Sequence, residues 1–259
     1  MINFLRWFKK FDINIRKGTK FIFSERSDPN HRNISNLKSM LSVYDKADII
    51  VFQTNYVINQ FKGNIHEKGV VITNPIEVEC LSTNNLTSKK IVTIGRLVPQ
   101  KNQALLINAF SLFEKSHKGY NLYIYGSGIL LNTLKEFVKS KHLENCVHFK
   151  GFSRHIHKDI KDAEFFVLSS DFEGLPNALM EAMKMGIPSI STNCSGISEI
   201  ITDNVNGLLV PIKNIIALAN AMSYLSDNIT LKELIRKESI IKSKEWETFQ
   251  IAKKWEKLF

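Results

Sequence analysis

From Lys90 onward the sequence repeats one device: a short apolar run, a turn, and a segment long enough for a helix. The runs are IVTIG (91–95), NLYIY (121–125), VHFKGF (147–152), EFFVLSS (164–170), IPSIST (187–192) and GLLVP (207–211). Between them lie stretches with apolar residues at helical spacing, such as NQALLINAFSLFEK (102–115) and ILLNTLKEFVK (129–139), and a short helix is expected over ISEIITD (197–203). Helices over 214–227, 230–243 and 246–258 close the chain. Parallel strands cannot be joined by a tight hairpin, so a helix-length crossover between strands predicts a parallel sheet with helices on both faces. The expected fold class is therefore α/β, a doubly wound Rossmann-like sheet. In such sheets ligands sit beyond the carboxyl ends of the strands. The residues that follow the runs should then share one cleft: Gly95, Arg96 and Lys101; Gly126 and Gly128; Asp171 to Pro176; and Cys194 to Gly196.

The part before Lys90 carries a shorter version of the pattern. KFIFSE (20–25), DIIVFQT (48–54) and GVVIT (69–73) read as strands, with helices over 34–47 and 55–62. Glu77 to Lys90 lacks periodicity and reads as a linker. The expected division is a partial N-terminal unit (1–76), the linker (77–90), a complete α/β domain (91–240), and a C-terminal helix (241–259) packing back on the N-terminal part. No repeat of fixed period is visible.

Lys and Arg number 35 against 25 Asp and Glu, a net charge of +10 that favours anionic partners. Cys80, Cys146 and Cys194 lie far apart, and the seven histidines show no metal-ligand spacing, so neither a disulfide framework nor a metal site is expected. No run approaches about 18 apolar residues, so neither a signal peptide nor a membrane span is expected, and a cytoplasmic location fits. Residues 1–20 interleave Phe4, Leu5, Trp7, Phe8 and Phe11 with six cations. That segment reads either as an interfacial helix on anionic lipid or as a domain helix with a core face.

The densest chemistry lies in SSDFEGLPNALMEAMKMG (169–186). Gly174 and Pro176 are the residue types that bend a backbone and start a helix, and the free amides of a helix start attract anions. Glu173 and Glu181 flank that start, seven residues intervening. A carboxylate beside an anion site is an electrostatic mismatch unless a hydroxyl-rich ligand reaches it. A nucleotide sugar supplies both needs, with phosphates for the helix end and cations and with ribose and hexose hydroxyls for the carboxylates. Arg96 and Lys101, on one loop, read as a diphosphate clamp or, equally, as solvated charges. Gly126-Ser127-Gly128 reads as a ligand-approach turn or a cramped connection. Standing alone, Glu173 and Glu181 could be a helix-dipole partner and a surface carboxylate.

The series IVTIGRLVPQKN, LYIYGSG, VHFKGF, AEFFVLSSDFEGLPNALMEAMKMGIPSIST and GISEIITDNVNGLLVP resembles the donor-binding domain of family 4 retaining glycosyltransferases of GT-B fold, over about residues 89–225. The resemblance implies that Arg96 and Lys101 hold the donor diphosphate, that Glu181 takes the ribose hydroxyls, and that Glu173 lies by the transferred sugar. It further places Gly95, Gly126, Gly128, Gly174, Leu175 and Pro176 around the phosphates and sugar, with Gly151-Phe152 near the base. No metal or other cofactor is implied, because cations and helix ends replace it. The donor would be a nucleoside diphosphate sugar, a UDP-sugar foremost.

The implied reaction moves a hexose or N-acetylhexosamine, with retention, to a lipid-linked or polysaccharide acceptor, with peripheral membrane contact and no nucleic-acid partner. The N-terminal part resembles only the end of the family's acceptor domain, so a shortened first domain is expected. The alternative is a half enzyme or remnant that binds donor while a second chain supplies the acceptor domain. Within Ser24-Glu25-Arg26-Ser27-Asp28-Pro29, Glu25 and Arg26 are further candidates for the sugar site.

Overall fold

The protein is described by a computed structural model covering residues 19–26, 41, 43–83 and 85–259. The basic segment 1–18, most of the helix expected over 34–47 and the Ser27-Asp28-Pro29 stretch lie outside these residues.

The N-terminal unit is built on three parallel strands in the order β1 (Ile22–Glu25), β2 (Ile49–Phe52), β3 (Gly69–Val71), with Ile22 opposite Ile49 and Ile50 opposite Gly69. Two short helices, α1 (Asn55–Ile58) and α2 (Asn64–Glu67), link β2 to β3. Alternation along β2 sends side chains to opposite faces. Ile50 and Phe52 pack with Tyr44, Val57 and Phe61, while Val51 packs with Ile72, Ile251 and Leu258.

The larger domain is one six-stranded parallel sheet. In chain order its elements are β4 (Lys90–Ile94), α3 (Gln103–Phe113), β5 (Asn121–Tyr125), α4 (Leu131–Ser140), β6 (Val147–Gly151), α5 (Ile156–Ile160), β7 (Phe165–Leu168), α6 (Asn177–Met185), β8 (Ser189–Thr192), β9 (Leu208–Val210), α7 (Ile215–Asp227) and α8 (Ile229–Ser243). The helix expected after β8 is only a 3₁₀ turn, Ile197–Glu199. Strand order is β6-β5-β4-β7-β8-β9. Both faces are covered, and the central strand β7, Phe-Phe-Val-Leu, is apolar and buried throughout. In β7, Phe165 and Val167 join the core under α3 and α7, whereas Phe166 and Leu168 join the core under α6. Each such buried side chain contributes roughly 1.5–3 kcal/mol.

A buried polar knot closes the amino-terminal end of this sheet. The Lys232 ammonium of α8 lies 2.7 Å from Glu164 Oε1 and donates to the Leu86 and Ser226 carbonyls. Tyr120 and the Lys89 N–H also donate to the Glu164 carboxylate. Every charge has partners, as a buried pair requires.

The final helix, α9 (Thr248–Glu256), returns to the N-terminal unit, where Ile251, Trp255 and Leu258 cover Val51 and Ile72. A second tie is Glu199, whose carboxylate accepts from the Asn55 and Tyr56 N–H groups at the start of α1, at 2.8 and 2.6 Å.

The strand order decides where a ligand can sit. From β4 the chain moves outward through β5 and β6, then returns to the other side of β4 with β7 and continues to β8 and β9. The reversal falls between β4 and β7, and the crevice of a doubly wound sheet opens at the carboxyl ends of those two strands.

Candidate active site

The loops after β4 and β7 are zipped together. Asn102, in the left-handed region at φ 43°, caps α3 by accepting from Leu105 N–H and donates from Nδ2 to Asp171 Oδ1 at 2.8 Å. The Asp171 N–H donates to the Gln100 carbonyl, Gln100 Nε2 to the Phe172 carbonyl, and Ser169 Oγ to the Lys101 carbonyl. Within this frame the Lys101 ammonium lies 2.6 Å from Glu173 Oε1, which also accepts from Ser170 Oγ at 2.5 Å. Only 6% of the Glu173 side chain and 16% of the Lys101 side chain are exposed. Glu173 is therefore neither a surface carboxylate nor merely a dipole partner.

Lys101 and Arg96 do not share an environment. The Lys101 stem runs along Gly95, whereas Arg96 is exposed and its guanidinium has no hydrogen bond or ion pair among the described residues. The Gly126-Ser127-Gly128 loop packs on the β4 loop. A Cβ on Gly126 would lie 2.0 Å from the Gly95 carbonyl oxygen, and one on Gly128 would lie 2.4 Å from that of Leu97. The Leu97 N–H donates to the Ser127 carbonyl and Gly126 N–H to that of Gly151. These glycines are accounted for by close backbone contact between loops.

Pro176 occupies the cap of α6 rather than its first turn, and no side chain caps the helix; the Asn177 N–H donates to the Leu175 carbonyl and those of Leu179 and Met180 to that of Pro176. Gly174 is not among the positive-φ glycines, so the turn does not depend on a left-handed backbone there. Leu175 is partly buried against the α6 core. Phe152, after Gly151 at φ 71°, is 77% exposed at the end of β6.

Glu181 lies one turn into α6, 27% exposed, with Oε2 3.4 Å from His157 Nε2. Burial holds its carboxyl above the ordinary value, and His157 draws it partly back. Nearby, burial and the Glu173 carboxylate push the Cys194 thiol up to about 12, which makes it an inert core residue.

Glu25 belongs elsewhere. It is 2% exposed and accepts a hydrogen bond from the buried Tyr44 hydroxyl inside the N-terminal unit, while Arg26 is exposed. The sequence reading did not single out Gln100, Asn102, Ser170 or Asp171, although all adjoin residues it named. His157 entered that reading only as one of seven histidines without metal-ligand spacing. Among the described residues no group of three His, Cys, Asp or Glu could hold a metal ion, and no helix is long and apolar enough to cross a membrane.

Comparison with known proteins supplies the family. Residues 82–241 match the family described as Glycosyl transferases group 1. An uncharacterized glycosyltransferase of Methanocaldococcus jannaschii is 31% identical over 214 residues, covering 74% of this chain and 53% of that protein. The N-acetylgalactosamine-N,N'-diacetylbacillosaminyl-diphospho-undecaprenol 4-alpha-N-acetylgalactosaminyltransferase of Campylobacter jejuni is 27% identical, covering 91% of this chain and 68% of that protein. Staphylococcus aureus TarM, whose structure has been solved with UDP and alpha-GlcNAc-glycerol, superposes with a TM-score of 0.84 at 25% identity, over 96% of this chain and 52% of its own. This chain thus spans about half the length of two of these proteins. With parallel sheets ordered in this way and the family match spanning the complete domain, the chain belongs to the group 1 glycosyltransferases and has their GT-B architecture.

Proposed function

We propose that the chain carries the donor half of a family 4, retaining glycosyltransferase, and that its donor is a nucleoside diphosphate sugar, a UDP-sugar foremost. The observation that carries this reading is the Lys101–Glu173 pair at the β4/β7 reversal, on the loop that also bears Arg96, whose guanidinium has no hydrogen bond or ion pair among the described residues. Arg96, Lys101 and the α6 amides take the diphosphate, where charge-assisted contacts contribute roughly 1.5–3 kcal/mol each. Glu181 takes the ribose hydroxyls, and Phe152 lies on the side of the base. Glu173 faces the transferred sugar, its charge balanced by Lys101.

As the anomeric bond lengthens, negative charge grows on the leaving diphosphate. Preorganised cations and amides stabilise it there, without a metal. On the same face the departing phosphate oxygen accepts the proton of the incoming hydroxyl, which preserves configuration and needs no protein nucleophile. UDP in TarM supports the donor class, and the alpha-GlcNAc-glycerol bound there and the undecaprenol-linked substrate named for the Campylobacter relative support a glycan or lipid-linked acceptor. The net charge of +10 suits an anionic membrane surface.

The test is calorimetric titration of the folded chain with UDP, GDP and ADP, followed by a screen for hydrolysis of the matching nucleotide sugars. Saturable binding of one diphosphate is expected. Absence of binding for all three overturns the donor reading. Donor hydrolysis with glycan transfer only after a second polypeptide is added would assign the chain to a two-chain enzyme.

A further inference from the structure

His157, on α5, has a partner on each ring nitrogen. The Glu79 main-chain N–H donates to Nδ1 at 3.2 Å, and Nε2 lies 3.4 Å from Glu181 Oε2. An amide N–H can only donate, so Nδ1 is the unprotonated nitrogen and the single ring proton sits on Nε2, where it donates to the carboxylate. Glu181 Oε1 has no hydrogen bond among the described residues. One oxygen of that half-buried carboxylate is held, and the other is available.

The Glu79 amide is itself held in place. The linker around it is pinned by Ile76 N–H to the Trp246 carbonyl, Ser82 N–H to Met185 and Thr83 N–H to Lys161. The Glu79 carboxylate takes no part, since it lies 3.6 Å from Lys158 Nζ and 3.8 Å from His155 Nδ1. A main-chain amide, an imidazole and a carboxylate therefore run in series from the linker to α6. Such outer partners set the orientation of a ligand-binding group.

We propose that His157 is a positioning residue for the nucleoside end of the donor: clamped by Glu79 N–H, it fixes Glu181 and leaves Oε1 for the ribose hydroxyls, giving preference for ribose over 2'-deoxyribose. This rests on the reading of Glu181 as the ribose carboxylate.

The experiment compares dissociation constants of UDP and 2'-deoxy-UDP for the full chain and its variants, with melting curves to establish folding. His157→Asn keeps an acceptor near Nδ1 but cannot reach Glu181, whereas His157→Gln places an amide N–H near Nε2. Wild type is expected to favour UDP about tenfold, the net worth of one such hydrogen bond. In His157→Asn that ratio should fall to about one, and in His157→Gln it should stay within about twofold of wild type. Glu79→Pro, which deletes the N–H on the exposed linker, should lower the ratio as well and serves if His157→Asn does not fold.

A folded His157→Asn or Glu79→Pro chain with the wild-type ratio overturns the proposal, as does a folded His157→Gln chain that loses it. Wild type that binds UDP and 2'-deoxy-UDP equally refutes the ribose role of Glu181 and the proposal with it. Wild type that binds no nucleoside diphosphate refutes the donor reading itself.

Discussion

The ammonium of Lys101 and the carboxylate of Glu173 are 2.6 Å apart, although they belong to loops that follow different strands. Because β4 pairs directly with β7, the two loops leave the sheet side by side, and the pair closes across the ligand crevice. The Lys101 cation is thus already partnered by a buried carboxylate.

Removing one member of that pair should therefore affect folding and binding together. Lys101→Ala is expected to cost about 3 kcal/mol of stability, near the low end for a broken buried pair because Lys101 keeps some solvent contact. It should also weaken UDP binding by at least about tenfold. The double variant Lys101→Ala/Glu173→Gln should regain most of the stability without the affinity. Urea unfolding and calorimetry check both, and a double variant no more stable than Lys101→Ala contradicts the pairing.

Arg96→Ala should separate the two effects. The side chain is exposed and has no hydrogen bond or ion pair among the described residues, so unfolding should shift by no more than about 0.5 kcal/mol. Affinity for UDP should still drop roughly tenfold, and a titration showing unchanged affinity removes Arg96 from the diphosphate site.

Glu181→Gln is expected to stabilise the ligand-free chain while weakening nucleotide binding. Burial raises this carboxyl above its ordinary value, so the folded state holds the proton more tightly than the unfolded chain does. Its effect on folding is then most favourable below the unfolded value of about 4.5 and becomes unfavourable as pH rises through the raised one. At pH 7 Gln removes that cost, whereas near pH 4 wild type and variant should melt together. Melting curves at both pH values test the sign, and a variant less stable at pH 7 contradicts it.

Gly126→Ala should dislodge two loops. Its Cβ would fall 2.0 Å from the Gly95 carbonyl oxygen in a backbone at φ 128°. The strain, on the order of 1–3 kcal/mol, should lower the melting temperature and carry the Arg96 loop with it, so UDP affinity falls too. A variant with wild-type melting and affinity would show that these loops do not touch.

At the other end of the sheet, Lys232→Met strands the Glu164 charge in a site where neither side chain is more than 2% exposed. A loss of about 3–5 kcal/mol is expected in urea unfolding. The folded fraction should keep wild-type UDP affinity, because this knot lies at the opposite strand ends from the ligand crevice. A loss of affinity in folded protein would refute that separation.

Local pattern was enough to read most elements. The helix over Asn177–Met185 and the strands β4 to β9 lie where apolar runs and turn residues put them, because both features act over a few residues. The short turn at Ile197–Glu199 was over-read as a helix, since nothing in ISEIITD shows that the segment ends against α1 through Glu199. The burial of Glu25 under the Tyr44 hydroxyl was not legible in Ser24-Glu25-Arg26, because the partner lies well beyond that stretch in the chain.

The amino-acid order by itself determined the α/β class and put Arg96, Lys101, Glu173 and Glu181 forward as candidates near strand ends. Tertiary structure alone decided how they divide: Lys101 sits with Glu173 and leaves Arg96 unpaired, the Gly126 and Gly128 turn serves loop packing, and His157 joins Glu79 to Glu181. The physical reason is range. Helix and strand preferences are carried by neighbours along the chain, whereas ion pairs, close backbone contacts and the tautomer of a histidine depend on which strands pair and which loops they bring within about 3 Å.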